Sequence, residues 1–252
     1  MASGFLRQRE QMLHELRRLL PQMEGLPAAG VLPFGVSALD NCLPQGGLCL
    51  GALHEICPAE REDRPAALGF AAALLGRLSK PAPVVLVLPR GFLGCPYGHG
   101  LGRLGLDPSR LLLVETKDER ETLWAMEEAL RSAAPAGVAG IMAKGCDLRA
   151  SQRLHLAAER SGLLLLLLRP VRAPGSSVAA TRWRIGSAPA ACDRFGLIAP
   201  SRWHVALERC RNGRLGEWVL EFDHAYRFRL AAPMADSALP HRTATLPRAR
   251  AG

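Results

Sequence analysis

The 252-residue sequence has no hydrophobic run long enough to cross a bilayer, no closely paired cysteines and no Gly-Lys dipeptide anywhere. The longest greasy stretch is residues 163–168. A membrane helix needs roughly 20 apolar residues, so a membrane role is excluded and this stretch reads as a strand buried on both faces. The seven cysteines stand at 42, 49, 57, 95, 146, 192 and 210, never in C-x-x-C spacing and never clustered with histidine as zinc ligands are. The N-terminus lacks a signal-peptide pattern, because Arg7, Arg9, Glu10, His14, Glu15, Arg17 and Arg18 interrupt any apolar run. The odd cysteine count and that start place the protein in the reducing cytoplasm. The absence of G-x-S-x-G and of H-E-x-x-H excludes a nucleophile elbow and a zincin site. The seven histidines are dispersed. No catalytic, cofactor-binding or metal-ligating residue is assigned.

What is present is an ordinary globular composition, 48% hydrophobic and 22% charged, enough to bury a proper core. The net charge of +9 is unevenly spread. Residues 1–168 hold 18 basic and 17 acidic side chains, whereas residues 169–252 hold 14 and 6. All 14 of those basic residues are arginine, the side chain suited to bidentate phosphate contact. A polyanion partner and an arginine-rich bias that aids solubility both account for this.

Residues 5–20 read as an amphipathic helix with Phe5, Leu6, Leu13, Leu16, Leu19 and Leu20 near helical spacing. Its apolar stripe docks on its own domain or on a neighbour, and Phe5, Leu6, Leu13, Leu16 and Leu20 are the candidate partner contacts. Apolar strands are expected at 52–57, 84–88, 111–114, 138–142 and 163–168. Helices are expected at 65–78, 118–132 and 147–161, the last two opened by capping aspartates. Such alternation means parallel strands joined by crossovers. After Pro170 the period becomes two, at 180–185 and 203–210. The turn Arg211-Asn212-Gly213-Arg214 follows, and then Trp218, Leu220 and Phe222 face one way. An antiparallel ribbon therefore finishes the sheet. Trp183 and Trp203 read as core plugs of that ribbon, and His54, His204 and His224 as satisfied core or edge residues. Residues 231–252 carry three prolines and three arginines without apolar period, and read as a disordered basic tail.

The segment LPFGVSALDNCLPQGGLCLGALHE (32–55) carries the most information. A fixed-turn glycine, Leu-Asp, Gly-Gly-Leu and then an apolar strand resemble the entry to a RecA-type ATPase core. The run from Gly102 through the helix at Asp118 continues that resemblance. The phosphate loop, however, is missing. A P-loop needs glycines whose N–H groups cradle phosphate, a lysine and a hydroxyl. Here the chain reads Cys57-Pro58-Ala59-Glu60-Arg61-Glu62-Asp63-Arg64-Pro65, with acids where a triphosphate would lie. The strand at 138–142 runs into Ala143-Lys144 in place of a metal-holding Asp. The strand at 84–88 runs into Pro89-Arg90 in place of a catalytic Glu. Hydrolysis is not expected. The expectation is an α/β, RecA-like, mostly parallel sheet with flanking helices, a degenerate phosphate loop and a C-terminal antiparallel ribbon. Residues 1–29 would be helix and linker, 30–230 the core and 231–252 the tail.

These features, with TRWRI (181–185), RWHVALERCRNGRLGEWVLEFD (202–223) and LLLLLLRP (163–170), resemble the ImuA family over roughly residues 30–225. The resemblance implies a non-catalytic accessory protein of error-prone translesion DNA synthesis in the bacterial DNA-damage (SOS) response. It implies assembly with an ImuB-like inactive Y-family polymerase and an error-prone replicative-type DNA polymerase, and extends the candidate partners to RecA. Single-stranded DNA is a further candidate partner, since the segments after the fourth and fifth strands, 143–146 and 169–181, match DNA-facing loops. Candidate nucleic-acid contacts are Lys144, Arg169 and Arg172, continued by Arg209, Arg211 and Arg214. Arg169 and Arg182 are equally able to pair with nearby carboxylates. The alternatives are a SulA-like inhibitor of cell division and a nucleotide-dependent recombinase-like ATPase.

Overall fold

A computed structural model describes residues 30–92, 97–172, 177–189, 201–223 and 225–231. The partner-contact residues Phe5, Leu6, Leu13, Leu16 and Leu20, His224 and the tail beyond residue 231 lie outside this set. In chain order the strands are β1 (Val31–Leu32), β2 (Leu48–Cys49), β3 (Leu53–Pro58), β4 (Val84–Pro89), β5 (Leu111–Thr116), β6 (Gly137–Ile141), β7 (Leu164–Leu168), β8 (Thr181–Ser187), β9 (Arg202–Cys210), β10 (Gly216–Phe222) and β11 (Phe228–Leu230). The α-helices are α1 (Ser37–Asp40), α2 (Arg64–Gly76), α3 (Gly98–Arg103), α4 (Glu119–Ser132) and α5 (Leu148–Ser161).

Nine strands form one sheet in the order β11-β10-β9-β8-β3-β7-β6-β4-β5. From β8 through β5 every neighbouring pair is parallel, and from β8 through β11 every pair is antiparallel. Strand β8 thus belongs to both parts: it runs parallel to β3 and antiparallel to β9. The period-two signal at 180–185 leads into the ribbon but does not reveal that parallel seam. Both faces of β3, β6 and β7 are buried, which is why their residues show no alternation.

One face packs against α2. Phe34, Phe70, Trp183, Trp203, Phe222 and Phe228 meet there, with Phe34 and Trp183 centroids 5.3 Å apart and Phe70 edge-on to Trp203 at 5.8 Å. Trp183 and Trp203 are 0% and 3% exposed, the core plugs expected of them. The other face holds α4 and α5 over Leu53, Val85, Val138, Leu165 and Leu167. Asp118 opens α4 by accepting the Glu121 N–H at 2.8 Å, and Asp147 opens α5 by accepting the Ala150 N–H at 2.7 Å. Helix α5 stops at Gly162, whose φ of 67° a side chain would strain.

The hairpin of β1 and β2 forms because Gly46 takes φ 77°. Gly47 passes so near Leu32 that a Cβ would stand 2.8 Å from its carbonyl carbon. Asp40 ties this segment down by accepting N–H bonds from Phe34, Gly35 and Val36. Among the described residues no helix is long and apolar enough to cross a membrane. The five described cysteines, Cys42, Cys49, Cys57, Cys146 and Cys210, are all free thiols.

Candidate functional site

In an open parallel sheet the carboxyl ends of the strands are where ligands bind. The central strand here is β3, and the chain leaving it enters α2 after five residues, 59–63, of which Arg61–Asp63 form a 3-10 turn. A phosphate-binding junction leaves its N–H groups free for the ligand. In this one the Ala59, Glu60 and Asp63 N–H groups are bonded within the protein. Asp63 accepts the Glu60 N–H at 3.1 Å, while the Glu60 side chain accepts the Asp63 N–H, a closed capping box. The second Asp63 oxygen accepts the Ser187 N–H at 2.8 Å and so clamps the end of β8. Ala59 N–H goes to the Ile185 carbonyl at 2.7 Å, and Pro65 has no N–H to give. Burial works to raise the Asp63 carboxyl, but the Ser187 and Glu60 hydrogen bonds outweigh it and hold it below the ordinary range.

Beside the junction lies a crevice of about 190 Å³ lined by Pro58, Phe92, Met142, Leu168 and two arginines, Arg64 and Arg169. Arg64 lies over the Phe92 ring, 6.0 Å from its centroid.

Beneath β3 sits a buried ion cluster. Glu55 is 0% exposed; Oε1 takes Arg169 Nη1 at 2.5 Å and Oε2 takes Arg182 Nε at 2.7 Å. Arg169 follows β7 and Arg182 sits on β8, the two neighbours of β3. Arg169 is therefore part of the interior, which takes it off the candidate nucleic-acid surface. Its pairing with a carboxylate is the other of the two expectations held for it. Glu55 went unassigned in the sequence reading. The signal was a lone carboxylate in the apolar strand LHEICP, which requires counter-charges on adjacent strands.

His54, on the opposite face of β3, is 1% exposed. Its Nε2 faces the Cys49 carbonyl at 2.9 Å and its Nδ1 the Thr181 hydroxyl at 2.8 Å. Trp183 Nε1–H donates to that same Thr181 oxygen at 2.7 Å. Burial lowers the His54 pKa to about 4, so the ring is neutral and structural. His204 is exposed, on the ribbon.

The remaining candidate cations do not form one surface. Lys144 and Arg172 are exposed and follow the carboxyl ends of β6 and β7. The Lys144 N–H is fixed by Glu119 at 2.5 Å. Arg209, Arg211 and Arg214 cluster near the start of β8, at the amino end of the sheet. Each donates to a backbone carbonyl: Arg209 to Ser177 at 2.6 Å, Arg211 to Val178 at 2.9 Å and Arg214 to Asn41 at 3.1 Å. Arg209 and Arg211 thereby hold the 177–178 end of the 169–181 segment near the start of β8, while Arg172 stands at its other end, after β7. The parallel pairing of β8 to β3 brings the chain back to the amino end of the sheet within that segment.

A large sheet with a parallel centre and an antiparallel edge, covered by helices on both faces, defines an α/β protein. No protein-family profile matches the chain. It is 40% identical over 228 residues to Protein ImuA of Caulobacter vibrioides strain NA1000 / CB15N, covering 82% of this chain and 91% of that protein. Protein ImuA of Caulobacter vibrioides strain ATCC 19089 / CIP 103742 / CB 15 aligns with the same values. The chain belongs to the ImuA family.

Proposed function

We propose that the protein is a RecA-like accessory factor of damage-inducible, error-prone DNA synthesis that works by binding, without turning over nucleotide. One observation carries the reading: the strand–loop–helix junction after β3, the place of a phosphate loop in a P-loop protein, is occupied by Glu60 and Asp63. A triphosphate brought there would meet two carboxylates already holding the N–H groups it needs. Membership of the ImuA family supports the damage-tolerance role. By the same resemblance the partners are an ImuB-like inactive Y-family polymerase, an error-prone replicative-type polymerase and RecA, in the cytoplasm. The exposed arginines of the last third support salt-sensitive contact with DNA.

Titration with a fluorescent ATP analogue and Mg²⁺ tests the first half, with no saturable binding expected. ATP hydrolysis stimulated by DNA would overturn the reading. Capture with tagged protein from DNA-damaged cells tests the second half. Co-purification of the error-prone polymerases is expected, and their consistent absence would remove the adaptor role.

A further inference from the structure

Single-stranded nucleic acid is held without sequence reading by two kinds of group: cations along the backbone and exposed aromatic faces on which bases stack. The arginine loops above supply only the first. The second stands elsewhere in the fold. The chain has two tyrosines, and both are turned outward: Tyr97 is 73% and Tyr226 51% exposed, while four described phenylalanines are at most 4% exposed. The two tyrosines flank α3, a helix of sequence GHGLGR.

Tyr97 precedes α3, its ring 5.4 Å from that of His99. Tyr226 lies at the other end, packed on Gly105, where an added Cβ would come within 3.1 Å of the ring. Gly105 stands two residues past the end of α3. Beside α3 is a depression of about 510 Å³ lined by Gly98, His99, Gly102, Arg103, Pro108 and Tyr226, with Tyr97 next in the chain to Gly98. Its floor is open because the glycines present no side chain; nothing lies within 4 Å of where a Gly102 Cβ would be. Arg103 is exposed and makes no hydrogen bond or ion pair among the described residues.

The Tyr226 ring is held firmly. Its backbone takes φ 57°, a conformation that a bulky residue adopts only when its surroundings impose it. Here Asp223 imposes it, accepting the Tyr226 N–H on its carbonyl at 3.0 Å and the Ala225 and Arg227 N–H groups on its side chain. Arg77 then donates to the Tyr226 carbonyl at 3.3 Å and to the Pro33 carbonyl at 2.8 Å. The segment 33–42 so reached is the one whose Asn41 and Cys42 carbonyls bind Arg214. The hairpin at 211–214 and the turn at 223–227 stand at opposite ends of β10, and the segment 33–42 makes contact near both.

We propose that Tyr226, which lines this depression, and Tyr97 beside it stack bases of single-stranded nucleic acid, with Arg103 holding a phosphate. This rests on the nucleic-acid part of the proposed function and gives it a location away from the loops after β6 and β7. A protein anchor would need an enclosed pocket, whereas this depression is open and carries a cation, Arg103, on its rim.

The test is fluorescence anisotropy of the full chain with a labelled oligodeoxythymidine of about 20 nucleotides, longer than one binding site. Tyr97→Ala and Tyr226→Gly should each weaken binding about 10-fold without changing the salt slope, since stacking releases no counterion. Glycine accepts the backbone of residue 226 without strain, so that variant keeps the fold. Tyr97→Phe and Tyr226→Phe should bind as the wild type does. Arg103→Ala should lower the salt slope by about 1. If the wild type binds and the ring deletions match it, the stacking site is wrong while DNA contact stands. If the wild type does not bind even at low salt, the DNA contact fails and the site with it. Loss of captured polymerase in the ring deletions, with oligonucleotide affinity unchanged, would make the depression a protein interface and overturn the proposal.

Discussion

Acidification should destabilise the fold chiefly through His54. The ring is enclosed on β3 and both nitrogens are engaged, toward the Cys49 carbonyl and the Thr181 hydroxyl. The neutral tautomer with the proton on Nε2 satisfies both. A second proton on Nδ1 would bring a donor against Thr181, whose oxygen already accepts from Trp183. Burial lowers the pKa from 6.5 to about 4, the neighbouring His155 adds to the lowering, and the Cys49 carbonyl opposes it. Between these values the unfolded chain binds a proton that the folded chain refuses. Stability therefore rises with pH through this window, is complete above pH 6.5 and is fully lost below pH 4. The whole shift corresponds to about 3 kcal/mol, of which about 2 kcal/mol is gone by pH 5. Urea denaturation at pH 7 and pH 5 measures it, in the wild type and in His54→Gln, which cannot titrate. The variant should be weaker at pH 7 yet lose about 2 kcal/mol less on acidification. An unchanged pH dependence in His54→Gln would refute the assignment and shift attention to His155, whose pKa burial also lowers.

Three further outcomes follow from packing and charge. Glu55→Leu removes the buried carboxylate shared by Arg169 and Arg182 and should cost about 3–5 kcal/mol by urea denaturation, more than Arg182→Ala, which leaves Glu55 its pairing with Arg169. Gly76→Ala places a Cβ 2.5 Å from the Gly105 carbonyl and should lower the melting temperature, with a loss of about 1–3 kcal/mol. Trp183→Ala empties the centre of the aromatic cluster and frees Thr181, for a loss of about 3–5 kcal/mol visible in the same denaturation curves.

Much of the fold can be read from the sequence, because local rules act there without competition. Apolar runs bounded by capping aspartates and by Gly162 mark the crossovers to within two residues, and the Asn212-Gly213 turn marks the β9–β10 hairpin. The pairing partner of β8 is not legible, since period two describes one face of a strand and says nothing of the direction of its neighbour. The placement of the arginines is not legible for the same reason. Arg169 and Arg211 look alike in sequence, but one follows β7 at the carboxyl end and turns inward to Glu55, while the other closes a carbonyl at the amino end. Only the parallel seam between β3 and β8 sets them apart.

That seam also orders the junction after β3. Asp63 reaches from the junction after β3 to the Ser187 N–H at the end of β8, and Ala59 bonds to Ile185 on the same strand. Pairing with β8 brings the Ser187 N–H to the junction, where the permanent charge of Asp63 accepts it while also closing the 3-10 turn through its capping box with Glu60. It follows that Asp63→Asn should weaken the clamp by about 1 kcal/mol, because the neutral amide oxygen accepts one N–H but presents no charge to both. If Asp63→Asn instead created saturable, Mg²⁺-dependent ATP binding, the junction would be a masked nucleotide site and the argument for permanent closure would fall.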